Sequence, residues 1–276
     1  MSDANEMIHR HETCSLSMVR RVAAMLDLDA DQYAEGQALP RGWQFILMGA
    51  DTRRSLLRGD GFPGLGVPMP DMGFPRLMLG GRTVTYQEDI PIGARLLRSS
   101  SIQSVRRKEN DQGGYALVTV LHDLMIDGAS EAALTETQTY FLLPAETGYS
   151  ENAQIRELPE AKGQKIKALT PDATLLFQFS ALGFNTHKIH IDRDHATQVE
   201  GFPDLVVNGG LVTLLMTEFL RGEFDVEPKS IRIKHTAPLF CNRPVTLVGV
   251  NASEGLIISA FNDKNRLAVS MEVSLS

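Results

Sequence analysis

The segment "VVNGGLVTLLMTEFLRG", residues 206–222, narrows the possible folds of this chain more than any other. Apolar side chains at 211, 212, 214, 215, 216, 219 and 220 cover most of a helical circumference, so the helix they predict is buried on nearly every side. Gly222 suits its C-terminal stop. Four β-prone runs follow, "SIRIKHTA", "RPVTLVGVNA", "GLIISAFN" and "RLAVSMEVSL", the last two separated by the turn composition "NDKN". A buried helix followed by antiparallel strands describes a sheet wrapped around a helix, an α+β arrangement.

The first half follows a similar plan. In "SLSMVRRVAAMLDL", Leu16, Val19, Val22, Ala23 and Leu26 share one face at helical spacing, with Ser15 or Ser17 available as cap. Strand-like runs come later, "GRTVTYQEDI", "ARLLRSSSIQSVRRKE", "GGYALVTVLHDLMID" and "ALTETQTYFLLP", the middle two joined as a hairpin around "NDQGG". The halves therefore read as diverged copies, 1–148 and 166–276. The polar, turn-rich stretch 149–165 joins them as a linker. Before the first strands lies "GDGFPGLGVPMPDMGFPRLMLGG", residues 59–81, predicted to be a long ordered loop because Gly and Pro disfavour helix interiors and central strands. Connectors are seldom so long, which points to a functional wall.

Bulk properties exclude several classes. With 276 residues, 43% apolar and 22% charged, the chain has enough core for one large domain or two ordinary ones. A net charge of −7 and a pI near 5.5 argue against nucleic acid and anionic membrane as partners. Cys14 and Cys241 are the only cysteines, too few for a disulfide framework. No apolar run reaches the roughly 18 residues of a membrane span, and the N-terminus lacks a signal peptide's apolar region. A cytoplasmic location is expected.

Chemistry concentrates in "FSALGFNTHKIHIDRDHATQVEGFPDLVVNGGL", residues 179–211, where Asn185, His187, His190, Asp192 and Asp194 crowd together. His187, His190 and Asp192 are conceivable metal ligands, although no further His or Cys cluster supports a metal. A solvated polar loop is a second reading, with Asp192 capping "RDHATQVE" and His195 exposed. Catalysis is the third. The segment runs into a glycine-rich helix start, whose free N–H groups and dipole suit a developing oxyanion.

"NTHKIHID" resembles the signature D-x-N-P-I-H-x-D of the MaoC-like (R-specific enoyl-CoA hydratase) family. Asn185 stands in place of the family's Asp, His187 of its Asn and Lys188 of its Pro, while Ile189, His190 and Asp192 match. "VVNGGL" falls where that family carries A-H-G-M, with Gly209 at the glycine facing the thioester carbonyl. "GFPGLGVPMPDMGFPRLMLGGR" resembles the matching segment of tandem members, among them 3-hydroxyacyl thioester dehydratases and mesaconyl- or itaconyl-CoA hydratases. The resemblance implies a double hotdog fold, each half a helix wrapped by an antiparallel sheet. It also implies an acyl-CoA substrate, no cofactor and a homodimer.

Adding water across an enoyl thioester needs a base for the water, an acid for the α-carbon and a donor for the thioester oxygen. The resemblance assigns proton transfer to His190, water positioning to Asn185 and the donor N–H to Gly209, with Gly210 and His187 at the substrate. An amide cannot accept a proton as a carboxylate does, so His187 or Asp192 could also have taken over from the missing Asp. A dicarboxylic acyl group would need a cation in the pocket; Arg76 is the first candidate, with Arg53 and Arg54 behind it. Arg232 with Lys234, and the run Arg106, Arg107 and Lys108, are plausible anchors for the CoA phosphates. Within the family the expected substrates are itaconyl-CoA or mesaconyl-C4-CoA, both leading to citramalyl-CoA. A fatty-acid 3-hydroxyacyl thioester dehydratase and a non-catalytic thioester-binding hotdog protein are the alternatives.

Overall fold

A computed structural model describes residues 6–69, 71–110, 113–144 and 163–275. Ten antiparallel strands form one continuous sheet in the order β1-β3-β4-β5-β2-β7-β10-β9-β8-β6. The first-half strands are β1 (Ile8–Thr13), β2 (Arg76–Tyr86), β3 (Arg95–Asn110), β4 (Gly113–Ile126) and β5 (Leu134–Leu143). Those of the second half are β6 (Lys165–Leu169), β7 (Ser230–His235), β8 (Val245–Ala252), β9 (Gly255–Phe261) and β10 (Leu267–Ser274). Each half has the same order from edge to centre: its first strand, then third, fourth, fifth and second. The halves meet where β2 pairs with β7, Gly81–Thr85 against Ser230–Lys234. The repeat expected from the sequence is thus a topological one, and the fold is an α+β hotdog arrangement. The stretch 149–165 lies outside the described residues as far as 162, and Lys165 already opens β6.

Helices break the symmetry. Helix α1 (Leu16–Met25) follows β1, and α2 (Ala173–Leu182) occupies the same place after β6. Helix α1 buries Val19, Val22, Ala23 and Met25, and Ser15 caps it by accepting from Met18 N. A one-turn helix, α3 (Lys188–Ile191), precedes the long helix α4 (Gly209–Phe224). Helix α4 buries Leu211, Val212, Leu214, Met216, Phe219 and Leu220, as a wholly apolar circumference requires. It runs past Gly222 and ends at Asp225 in the left-handed conformation. Among the described residues between α1 and β2 there is no counterpart of α4, only short 3-10 turns at Ala30–Gln32, Gln44–Leu47 and Arg54–Leu56. The expectation of a wrapped helix in each half is therefore corrected: α1 matches α2, and the first half lacks a central helix.

The Gly/Pro-rich segment covers the face left open. Leu65 and Val67 pack with Phe62, Met69, Met72 and Phe74 on Val118, Val120 and Leu142 of the first-half strands. The predicted loop is shorter than 59–81, because strand β2 starts at Arg76. A register shift between Leu79 and Gly81 makes a bulge there. A Cβ on Gly80 would come within 2.3 Å of the Phe141 ring, so any side chain at this bulge would displace that ring.

Trp43 is fully buried, and its Nε1–H donates to Glu218 at 2.6 Å. Cys14 and Cys241 are buried free thiols. Among the described residues no helix is long and apolar enough to cross a membrane.

Candidate active site

The cavity beside the start of α4 has a volume of about 490 Å³ and takes its walls from both halves. Asn185, His187, His190, Gly209 and Gly210 all line it. A paired set of bonds holds the reactive segment against the helix start. Val206 N–H donates to Ile189 O at 2.9 Å, and His190 Nδ1–H donates to Val206 O at 2.7 Å. A carbonyl only accepts, so Nδ1 carries the proton, and Nε2 keeps its lone pair. Burial pushes the His190 pKa down to about 4, so the ring is neutral at pH 7.

Asn185 closes a local turn, its Oδ1 accepting from His187 N at 3.1 Å. The His187 ring stands edge-on to that of His190, with centroids 5.5 Å apart. Its pKa is lowered to about 3, first by burial and then by His190. The loop of the first half grips this segment from outside. Lys188 N donates to Asp60 O at 2.8 Å, Thr186 Oγ1 donates to Gly61 O at 2.6 Å, and Phe62 meets His187 edge-on. A Cβ on Gly61 would lie 2.4 Å from Thr186 O, so only glycine permits this approach. The carboxylate of Asp60 lies 3.6 Å from His187 Nε2 and 3.0 Å from Arg58.

Helix α4 opens without a side-chain cap: Asn208 turns its amide to Ser180 Oγ at 3.2 Å instead. The first N–H groups of a helix have no intrahelical acceptor. No side chain stands at Gly209 or Gly210, where a Cβ would press on the tips of Leu79 and Phe179, 2.9 Å away in each case. The helix thus presents backbone N–H groups to the cavity, an arrangement suited to holding a carbonyl oxygen as it gains negative charge.

Other expected residues fall elsewhere. Arg76 does not line the cavity; it pairs with Glu200 at 2.7 Å and lies behind the ring of Phe202, which does. Arg232 is also displaced. Its neighbours Ile231 and Ile233 point into the core, so strand alternation puts Arg232 on the outer face, 3.7 Å from Glu272. Asp192 is exposed and accepts from His195 N at 3.0 Å, capping the turn after it, and so does not join the two histidines as a ligand. His195 is largely buried rather than exposed, 3.8 Å from Glu200.

The cavity's polar far wall was missed in the sequence. Arg82, Gln138 and Tyr140 line it with His235. Along β5 every second residue is buried, which turns Glu136, Gln138 and Tyr140 inward with Leu134 and Leu142. In "LTETQTYFLL" that alternation could be read, but the inward set is polar, against the usual rule for a half-buried strand.

A duplicated hotdog sheet with a histidine, an asparagine and a bare helix start around one cavity places the protein in the MaoC-like class of hotdog dehydratases. The chain belongs to the hydroxyacyl-thioester dehydratase type 2 family, whose model matches residues 42–241. It is accordingly a hydratase or dehydratase of acyl thioesters, a hydro-lyase. It is 29% identical to a mesaconyl-C(4)-CoA hydratase of Chloroflexus aurantiacus, covering 94% of this chain and 92% of that one. Among solved structures it superimposes on a MaoC-like dehydratase of Phytophthora capsici with a TM-score of 0.73, at 14% identity over 99% of this chain and 95% of that one. A Mycobacterium tuberculosis protein described as a double hotdog fold matches with a TM-score of 0.64, at 12% identity over 98% and 95% of the two chains.

Proposed function

We propose that this protein reversibly adds water to a short enoyl-CoA thioester, of the C5 dicarboxylic kind: itaconyl-CoA or mesaconyl-C4-CoA, giving citramalyl-CoA. The observation that carries the reading is the neutral, singly oriented His190 beside the bare start of α4. In this mechanism the thioester oxygen accepts from the N–H groups of Gly209 and Gly210. Negative charge passing to that oxygen as water attacks the β-carbon is then stabilised by preorganised donors. His190 Nε2 takes the proton from the attacking water and returns it to the α-carbon, with the Asn185 amide orienting the water. The C5 assignment is supported by the Chloroflexus relative, whose named substrate is of this kind.

In this reading the second half, 166–276, carries the chemistry. The first half, 1–148, shapes the acyl pocket through loop residues 59–62 and strands β2 and β5. The protein works as a homodimer in the cytoplasm. A second reading, the fatty 3-hydroxyacyl thioester dehydratase, is favoured by the apolar side chains among the cavity's lining, Phe45, Met48, Leu77, Phe141 and Leu143, which would accept a longer chain.

The test is mass spectrometry of purified protein with itaconyl-CoA, mesaconyl-C4-CoA, crotonyl-CoA and a medium-chain enoyl-CoA, beside a His190→Ala control. Gain of one water on a C5 thioester, absent in the control, is expected. Hydration confined to the medium-chain ester would transfer the assignment to the second reading.

A further inference from the structure

We propose that Arg82 and His235 form a subsite for a carboxylate carried on the acyl group, at the seam where β2 pairs with β7. The inference rests on the acyl-thioester reading above and names the groups that select its substrate.

The subsite is built from buried nitrogen donors that the protein leaves unused. The Arg82 side chain is only 10% exposed, and its Nη1 donates to Glu136 Oε1 at 3.0 Å. Its Nε is buried with no partner. His235 Nε2 is likewise buried with no partner, and both residues line the cavity. A native interior seldom leaves such groups unpaired, and each calls for a reason. Glu136 offsets the charge of Arg82, but it engages Nη1 and its oxygens have other donors, so the unpartnered Nε–H is left for a ligand. Oε1 also accepts from Gln138 at 2.6 Å, and Oε2 accepts from Gln44 at 3.1 Å. Glu136 thus fixes the plane of the guanidinium, whose Nε edge lies buried in the cavity wall. Burial and the neighbouring Arg82 keep the His235 ring neutral, so it can supply an N–H without adding a second charge.

Position specifies the ligand. The Cβ that Gly209 lacks would lie 3.6 Å from His235 Nε2, and the one that Gly210 lacks would lie 3.7 Å from Arg82 Nη2. Both donors therefore flank the helix start that would hold the thioester oxygen. A carboxylate a few bonds beyond that carbonyl would be the acyl group placed to meet them. A planar, fixed guanidinium edge matches a carboxylate better than a hydroxyl or an amide. This is the buried cation that Arg76 was expected to supply.

The experiment measures binding of two saturated esters, succinyl-CoA and butyryl-CoA, by calorimetry. Their acyl chains have the same number of carbons, and only the first ends in a carboxylate. Neither can be hydrated, so the result does not depend on turnover. Wild type should prefer succinyl-CoA by about tenfold to a hundredfold. Arg82→Gln should erase that preference while leaving butyryl-CoA binding within about threefold of wild type. His235→Gln should reduce it. Since Arg82→Gln strands Glu136, the double variant Arg82→Gln/Glu136→Gln removes the stranded charge and serves if the single variant fails to fold. Equal binding of both esters to wild type, or a preference surviving in the folded variant, would overturn the subsite. Crotonyl-CoA hydration without any succinyl preference would remove the subsite and keep the hydratase. An Arg82-dependent preference without hydration of any enoyl thioester would do the reverse. Failure to bind either ester would remove both.

Discussion

Asp60 Oδ2, on the loop of the first half, lies 3.6 Å from Nε2 of His187, on the reactive segment of the second. It is the carboxylate that stands beside a motif in which Asn185 replaces the family's Asp. Its own backbone carbonyl accepts from Lys188 N, and its Oδ1 accepts from Phe62 N at 3.0 Å. Asp60→Asn preserves that Phe62 contact and removes the charge beside His187, together with the partly exposed ion pair to Arg58. The variant should keep its thermal midpoint while losing roughly tenfold in kcat/KM, measured by steady-state hydration kinetics. Unchanged kinetics would assign Asp60 to loop anchoring alone.

His190→Ala should lower kcat by about 10²–10⁴-fold, the range for loss of an acid–base group. The substrate Kd should move little, since the oxyanion donors belong to the backbone of α4. Rapid-quench measurement of the hydration step separates the two quantities.

Gly209→Ala pits two effects against each other. Alanine improves helix propensity by up to about 1 kcal/mol, but its Cβ would meet Leu79 at 2.9 Å and His235 at 3.3 Å. Overpacking of that kind costs about 1–3 kcal/mol, so net destabilisation is expected in urea titrations. Activity should fall further than stability, since the new methyl group would sit at the proposed carbonyl site.

Acid stability follows from the buried imidazoles. Burial holds His190 and His122 down to about 4, below the ordinary 6.5 of an accessible ring. Between pH 4 and 6.5 the unfolded chain therefore binds more protons than the native one. Stability should rise with pH through this window and level off above it. Each such ring should contribute about 2 kcal/mol less stability at pH 5 than at pH 7, as urea unfolding at the two values will show. Hydration should persist at pH 5 and fail near pH 4, where the His190 Nε2 lone pair takes a proton.

Arg232→Ala is the contrasting case. Its side chain is 73% exposed and 3.7 Å from its partner, so stability and kcat/KM should stay within experimental error of wild type.

The second half was largely legible because its signals are local. The apolar circumference of α4, the paired glycines at 209 and 210 and the crowded polar segment are all contiguous in the chain. What escaped was long-range. Helix α1 has a sound amphipathic face and a capping Ser15, yet nothing within that stretch reveals that it corresponds to α2 rather than α4. Arg82 sits in an ordinary strand, "GGRTVTY", and becomes an interior cation only because β5 turns Glu136 and Gln138 inward beside it. Arg76, one layer outside, has the same residue type and proximity in sequence but pairs with Glu200 instead. Asp60 likewise gains its interest only when the loop folds across to His187.

The missing central helix of the first half bears on handedness. Two equivalent helices would give the cavity a near-twofold character, and a flat enoyl group could enter facing either way. In the proposed mechanism, with α4 alone, one end of the cavity would hold the carbonyl and His190 would approach from one side only. Water therefore reaches a single face of the double bond, and the hydroxylated carbon forms with one configuration.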